Sequence, residues 1–190
     1  MRIALFGGTF DPIHKAHLTI AREAARAYTL DRVLLIPAAH PPHKPIDQLT
    51  SYADRLRMVE LACEGDPVLE ASRLEDHGGK SYSIDTIERV KKTLSKADRL
   101  FFLIGADAFD EIETWHRWHD VIVAVEFIVV ARPGHVYKTP KGAVVHRLDT
   151  LEMSISSSEI RKKLVEGKLP KGIPEKVWQY IVSHGLYNGD

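Results

Sequence analysis

Residues 2–28 read RIALFGGTFDPIHKAHLTIAREAARAY, an apolar run, a glycine pair, a polar loop and then a segment of helical period. Arg2 to Phe6 predicts a strand. Ala16 to Tyr28 predicts a helix, because Leu18, Ile20, Ala24 and Ala25 recur on one side. This is one βα unit, and the chain repeats it. Arg32 to Pro37 (RVLLIP) predicts a second strand, followed by a loop rich in proline and histidine and a helix over Tyr52 to Glu64. Val68 to Arg73 predicts a third strand, Ser83 to Leu94 a helix, Leu100 to Ile104 (LFFLI) a fourth strand and Phe127 to Ala131 (FIVVA) a fifth. The last two are near-continuous apolar runs, as in strands covered by helices on both faces. Repeated crossovers of this kind imply an α/β architecture, a doubly wound parallel sheet whose ligands bind outside the carboxyl ends of the strands.

After Pro133-Gly134 the pattern changes to a short stretch Val144 to Leu148, a serine-rich segment, a helix Ser157 to Val165 and a last helix around Pro174 to Ser183. Lys138 to Lys141 is the best linker candidate. With no internal repeat and no low-complexity tract, residues 1–190 read as one domain, in which 151–190 form a small C-terminal helical part. The 44% hydrophobic and 27% charged composition suits a globular chain that folds unaided. Lys plus Arg and Asp plus Glu balance at 26 each, so no global field argues for nucleic acid or an anionic membrane as partner. Any anion site must be local. A single cysteine, Cys63, excludes an intramolecular disulfide and reads as packing on a helix (VELACEG). No apolar stretch reaches about 18 residues and no signal-like segment opens the chain, so the expected location is cytoplasmic.

The loop after the first strand carries the first chemistry. Gly7 and Gly8 put no Cβ in the way of a phosphate or base approaching the backbone. His14 and His17, three apart at a helix start, share a face where backbone N–H groups already favour an anion. They would add donors to a polyphosphate, although packing or plain exposure would also account for two histidines. Zinc would want a third ligand, and neither a nearby cysteine nor an HExxH glutamate is present. There is also no GxxxxGK[ST] and no GxGxxG.

Ser154 to Arg161 (SISSSEIR) sets several hydroxyls before a helix. Ser156 or Ser157 would cap it, and Arg161, one turn in, could clamp an anion held at the same helix start. Pro41-Pro42-His43-Lys44 stiffens the loop after the second strand and holds Lys44 at the crevice, unless it is simply a solvated lysine. Gly105 and Asp107 close the fourth strand with a carboxylate that could accept from a ribose diol or cap the next helix. Trp115 and Trp118, three apart in TWHRW, would share one face of a helix, and most such pairs are core.

GGTFDPxHxxH after a first strand resembles the HxGH motif of the nucleotidyltransferase superfamily, and its full spelling is similar to that of the bacterial nicotinate-mononucleotide adenylyltransferases. Ile155 to Arg161 matches that family's ISS[ST]xIR, PPHK matches in full, Arg132-Pro133-Gly134 matches after the fifth strand, and SYSIDT (residues 81–86) matches with mild departures at Ser83 and Ile84. Ala16 departs, standing where the family usually has glycine. The likeness runs from Met1 to about Tyr187. It implies a Rossmann-like fold and an enzyme that transfers the adenylyl group of ATP to nicotinate mononucleotide, giving nicotinate adenine dinucleotide and pyrophosphate in NAD biosynthesis. His14, His17 and Arg161 would be the catalytic residues, binding phosphates and stabilising the transition state. Gly7, Gly8, Thr9, Phe10, Lys44, Gly105, Asp107, Ser156, Ser157 and Ser158 would bind ATP and its phosphates, with residues 151–190 completing that site. Tyr82, Thr86, Trp115 and His116 would bind the nicotinate nucleotide, the indole of Trp115 stacking on the pyridine ring and main-chain amides near Thr86 and His116 holding its carboxylate. Mg²⁺ would be bound through substrate phosphates, with no protein ligand named. The partners implied are ATP and nicotinate mononucleotide, with a homo-oligomer left open. Rival readings are an adenylyltransferase acting on nicotinamide mononucleotide or phosphopantetheine, and a nucleotide sensor without catalysis.

Overall fold

Six parallel strands form the sheet at the centre of the computed structural model, in the order β3-β2-β1-β4-β5-β6. The structure describes residues 1–41, 49–76, 80–150, 155–168 and 170–188. Lys44, named above as a phosphate ligand, lies outside the described residues, as do His43 and Ser154. In chain order the elements are β1 (Arg2–Gly8), α1 (Lys15–Ala27), β2 (Arg32–Pro37), α2 (Tyr52–Cys63), β3 (Leu69–Ala71), α3 (Ser83–Lys91) and β4 (Arg99–Gly105). They continue with α4 (Ala106–Asp110), α5 (Trp118–Ala124), β5 (Glu126–Ala131), β6 (Val144–Asp149), α6 (Ser157–Val165) and α7 (Glu175–Ser183).

The period-2 geometry of a strand sends neighbouring side chains to opposite faces, and here both faces are buried. On β4, Phe101 and Leu103 join a core built with Leu18 and Ala21 of α1, Met58 and Val59 of α2, and Val177 and Ile181 of α7. Leu100, Phe102 and Ile104 join the opposite core with Ile84 and Ile87 of α3 and Val121 of α5. That is why the fourth and fifth strands read as unbroken apolar runs. From β1 the chain steps outward through β2 and β3, then returns to build β4, β5 and β6 on the other side. The loops after β1 and β4 therefore diverge and open a crevice at the carboxyl ends of these two strands.

The short stretch Val144 to Leu148, whose sequence pattern assigns it to no element, is the core of edge strand β6, paired with β5 from Glu126↔Val144 to Ala131↔Asp149. Of its side chains only Leu148 is buried, so its apolar signal is weak. Lys138 to Lys141 consequently lies in the connection between two neighbouring strands. One expectation changes: Trp115 and Trp118 do not share a helix face. Trp115 follows a 3-10 turn (Ile112–Thr114) in extended conformation, Arg117 is left-handed at φ 53°, and Trp118 begins α5.

Candidate active site

β1 delivers Gly7 and Gly8 to the crevice mouth, and the two glycines differ. A Cβ on Gly7 would find its nearest neighbour, Phe102, at 3.9 Å, whereas one on Gly8 would come within 3.0 Å of the Phe10 ring. Gly8 is small because Phe10 packs on it. Phe10, only 2% exposed, turns the chain at φ 49° and sets its ring edge-on to Phe6 and His17, with centroids 5.6 and 5.0 Å away. Its side chain is core, so whatever Phe10 offers a nucleotide must come from the main chain. Gly105, at the end of β4, has open space where its Cβ would be.

α1 begins at His14, whose N–H donates to Nδ1 of His17 at 3.3 Å. The two rings stack, with centroids 3.7 Å apart and planes 21° from parallel. His14 is 4% exposed and its buried Nδ1 has no hydrogen-bond partner among the described residues. Burial lowers its pKa to about 4, and burial together with the neighbouring His14 holds His17 well below its usual range. Both rings are neutral near pH 7. The main-chain donors of this helix start are fewer than a bare terminus would give, since the Lys15 N–H is taken by the Gly172 carbonyl at 2.7 Å.

α6 arrives from the far end of the chain. Ser156 caps it, accepting from the Glu159 N–H at 3.2 Å. Ser157 Oγ donates to the Pro12 carbonyl at 2.9 Å, and Arg161 donates through Nη1 to the Asp11 carbonyl at 2.6 Å and through Nη2 to Ser158 Oγ at 3.4 Å. Arg161 thus touches the loop leading to His14, which brings three of the predicted residues to one place.

That loop is held by side chains that motif reading missed. Arg55 of α2, 1% exposed, donates to the carbonyls of Thr9 and Ala38 at 2.8 Å and of Thr50 at 2.9 Å. Asp11, 2% exposed, accepts from Tyr187 Oη at 2.6 Å on Oδ1 and from the Thr50 N–H at 3.4 Å on Oδ2. A signal existed for Arg55, a charge at a helix position flanked by buried Leu56, Met58 and Val59. None existed for Tyr187, whose partner lies 176 residues away.

Between the ends of β1 and β4 lies a cavity of about 260 Å³ whose walls include Gly7, Gly8, Thr9, Thr86, Gly105 and Trp115. Trp115 sets its ring against the edge of Phe102, 5.9 Å away. Thr86 is fixed by its hydroxyl, which donates to Oε1 of Glu75, a buried carboxylate whose Oε2 has no partner among the described residues. Tyr82 and His116, rings 4.3 Å apart, line an adjoining hollow on the outer side of Trp115. Asp107 lies elsewhere, in a hollow of about 220 Å³ with Arg132 and His135 that touches the first cavity only through Gly105. His14, His17 and Arg161 do not line the cavity; they flank the loop that makes one of its walls. Among the described residues no group of three His, Cys, Asp or Glu could hold a metal ion. No helix among them is long and apolar enough to cross a membrane.

A cytidylyltransferase-like family model matches residues 5–163. A probable nicotinate-nucleotide adenylyltransferase of Solibacter usitatus is 57% identical over 188 residues, covering 99% of this chain and all of the relative. The chain belongs to the nicotinate-nucleotide adenylyltransferase family. A Thermus thermophilus member of this adenylyltransferase family is 43% identical over 190 residues, covering 98% of this chain and 100% of its own. The Plasmodium falciparum nicotinic acid mononucleotide adenylyltransferase complexed with NaAD has the same fold, with a TM-score of 0.78 at 22% identity over 98% of this chain and 97% of that one.

Proposed function

We propose that the protein transfers the adenylyl group of ATP to nicotinate mononucleotide, releasing pyrophosphate and making the dinucleotide precursor of NAD. The observation that carries this reading is the meeting of the stacked His14–His17 pair and Arg161 on one loop whose other side walls a cavity bearing Trp115 and Thr86. Cationic and neutral N–H donors on one side of Gly8-Thr9 suit a polyphosphate. An indole face and a fixed threonine on the other suit a flat, electron-poor ring.

The transfer needs no covalent intermediate. The 5′-phosphate of the mononucleotide attacks the α-phosphorus of ATP in line, the bond to the β-phosphate oxygen breaks, and pyrophosphate leaves. An ionised phosphate nucleophile needs no general base, so positioning and charge stabilisation supply the rate. His14 and His17 donate N–H groups, and Arg161 adds a fixed positive charge at the same oxygens. Ser157 and Ser158 start α6 there, Lys44 adds a second cation, and Gly7 leaves room for close approach. Asp107, one strand over from Gly7, is assigned to a nucleotide ribose. Mg²⁺ would be held by the substrate phosphates rather than by a protein ligand and would supply further neutralisation, and the enzyme works in the cytoplasm.

The test is direct. Mixing the protein with ATP, Mg²⁺ and nicotinate mononucleotide should release pyrophosphate and form nicotinate adenine dinucleotide. Tight ATP binding without either product would leave a nucleotide sensor instead.

A further inference from the structure

We propose that Asp11 and Tyr187 are positioning residues for adenylyl transfer, the C-terminal tyrosine clasping the loop that seats Arg161 beside the histidine pair. The inference rests on the adenylyl-transfer reading above and deepens it.

A carboxylate that is 2% exposed has given up its water, and it is tolerated only when hydrogen bonds replace that water. Among the described residues the Asp11 carboxylate has two such bonds, and neither comes from its own element. Tyr187 Oη reaches Oδ1 at 2.6 Å from the end of the chain, and the Thr50 N–H reaches Oδ2 at 3.4 Å from the approach to α2. A phenol donating to an ionised oxygen makes a short, charge-assisted bond. Burial and Asp11 both push the Tyr187 pKa up, so the phenol keeps its proton and remains a donor.

The consequence reaches the phosphate site through the Asp11 main chain. The carbonyl of the residue that Tyr187 grips is also the acceptor for Arg161 Nη1 at 2.6 Å, and the next carbonyl, of Pro12, accepts from Ser157 at 2.9 Å. Three residues after Asp11 comes His14. One short loop is therefore the common seat of α6, of the arginine and of the first histidine. Tyr187, half-buried against the core of α1, α2 and α7, holds it from the segment after α7, itself in the left-handed region at φ 62°. If the carboxylate loses its phenol, the loop can shift without disturbing the sheet. A displacement of about 1 Å in a phosphoryl-transfer site costs up to a hundredfold in rate.

Tyr187→Phe in the full chain tests the proposal. The expected result is a turnover number lower by roughly tenfold to a hundredfold and a raised KM for ATP, with KM for nicotinate mononucleotide within about twofold of wild type. Asp11→Ala should act through the same bond, so the double variant should be little worse than Asp11→Ala alone. Should Tyr187→Phe be obtained only unfolded, Asp11→Asn, which keeps an oxygen for the phenol and sets an NH₂ against the Thr50 N–H, should give the same KM split. Wild-type kinetics in the folded variants, with or without a lower Tm, would overturn the proposal, as would additive effects in the double variant. Absence of transfer by the wild-type protein would instead overturn the functional reading.

Discussion

The imidazoles of His14 and His17 lie stacked at the first turn of α1, centroids 3.7 Å apart, with His17 Nδ1 accepting from the His14 backbone N–H. That bond leaves His17 Nε2 as its N–H donor, while the buried His14 Nδ1 has no partner among the described residues. Two neutral rings in contact avoid the repulsion that two imidazolium ions would feel. An arriving polyphosphate supplies the opposite charge that would raise both pKa values.

His14→Ala or His17→Ala should therefore keep the fold and lower the turnover number by at least about tenfold, since each removes a preorganised donor from developing phosphate charge. Steady-state kinetics beside a thermal melt checks this. A variant with wild-type turnover removes that histidine from the mechanism.

The same burial makes stability depend on pH. Between pH 6.5 and about 4 the unfolded chain protonates His14 and the folded chain does not, so the unfolded state binds more protons and stability falls as pH falls through that window. At 1.36 kcal/mol per unit the full effect is about 3 kcal/mol. His17 acts in the same direction. Urea unfolding at pH 7, 5 and 4 should show wild type losing more stability than His14→Ala, and parallel losses would contradict a depressed pKa in the fold.

Arg161→Lys should cost activity although it keeps the charge. The guanidinium serves the Asp11 carbonyl through Nη1 and Ser158 Oγ through Nη2, and its five N–H groups can hold these places and a phosphate together, whereas a single ammonium cannot. We expect kcat/KM for ATP to drop by about tenfold or more. Equal activity would mean that the arginine only fastens α6 to the loop.

Arg55→Met should be costly to the fold itself. It strips three carbonyls, of Thr9, Ala38 and Thr50, of their donor. Each unmet buried acceptor costs about 1–3 kcal/mol, and relief of the buried charge offsets a part, leaving a net loss of roughly 3 kcal/mol. Chemical denaturation measures it, and a loss below about 1 kcal/mol would show that these bonds carry little of the loop.

Trp115→Ala should raise KM for the mononucleotide and leave ATP nearly untouched, because the indole walls the cavity away from the histidines. If main-chain N–H groups near Thr86 and His116 hold the ring substituent, as the family likeness implies, they would favour a carboxylate over a carboxamide by about 1–3 kcal/mol. That is a preference of roughly ten- to a hundredfold in kcat/KM for the acid. Equal efficiency on acid and amide, or a variant that loses ATP binding instead, would place the wrong substrate in this half of the crevice.

Much of the fold was legible in the chain because its causes are local. The apolar run of Leu100 to Ile104 announces a strand buried on both faces, and the spacing of Leu18, Ile20, Ala24 and Ala25 announces the buried stripe of α1. The weak alternation of β6 was not legible, since an edge strand with one buried side chain is recognised only by the neighbour it pairs with. The helix face expected for Trp115 and Trp118 failed for a local reason that spacing does not reveal, the left-handed turn at Arg117.

The sequence alone determined the alternation of strands and helices, the glycine pair at the crevice and the residues available for phosphate, because periodicity and chain order act over a few residues. Tertiary structure decided which of them meet. It separated Asp107 from the cavity by placing it beyond Gly105, gave Gly8 to Phe10 rather than to open space, and tied Asp11 to Thr50, Arg161 and Tyr187. Those contacts depend on the sheet order that sets β1 beside β4 and on where α6 and the C-terminal segment dock, neither of which a local pattern encodes.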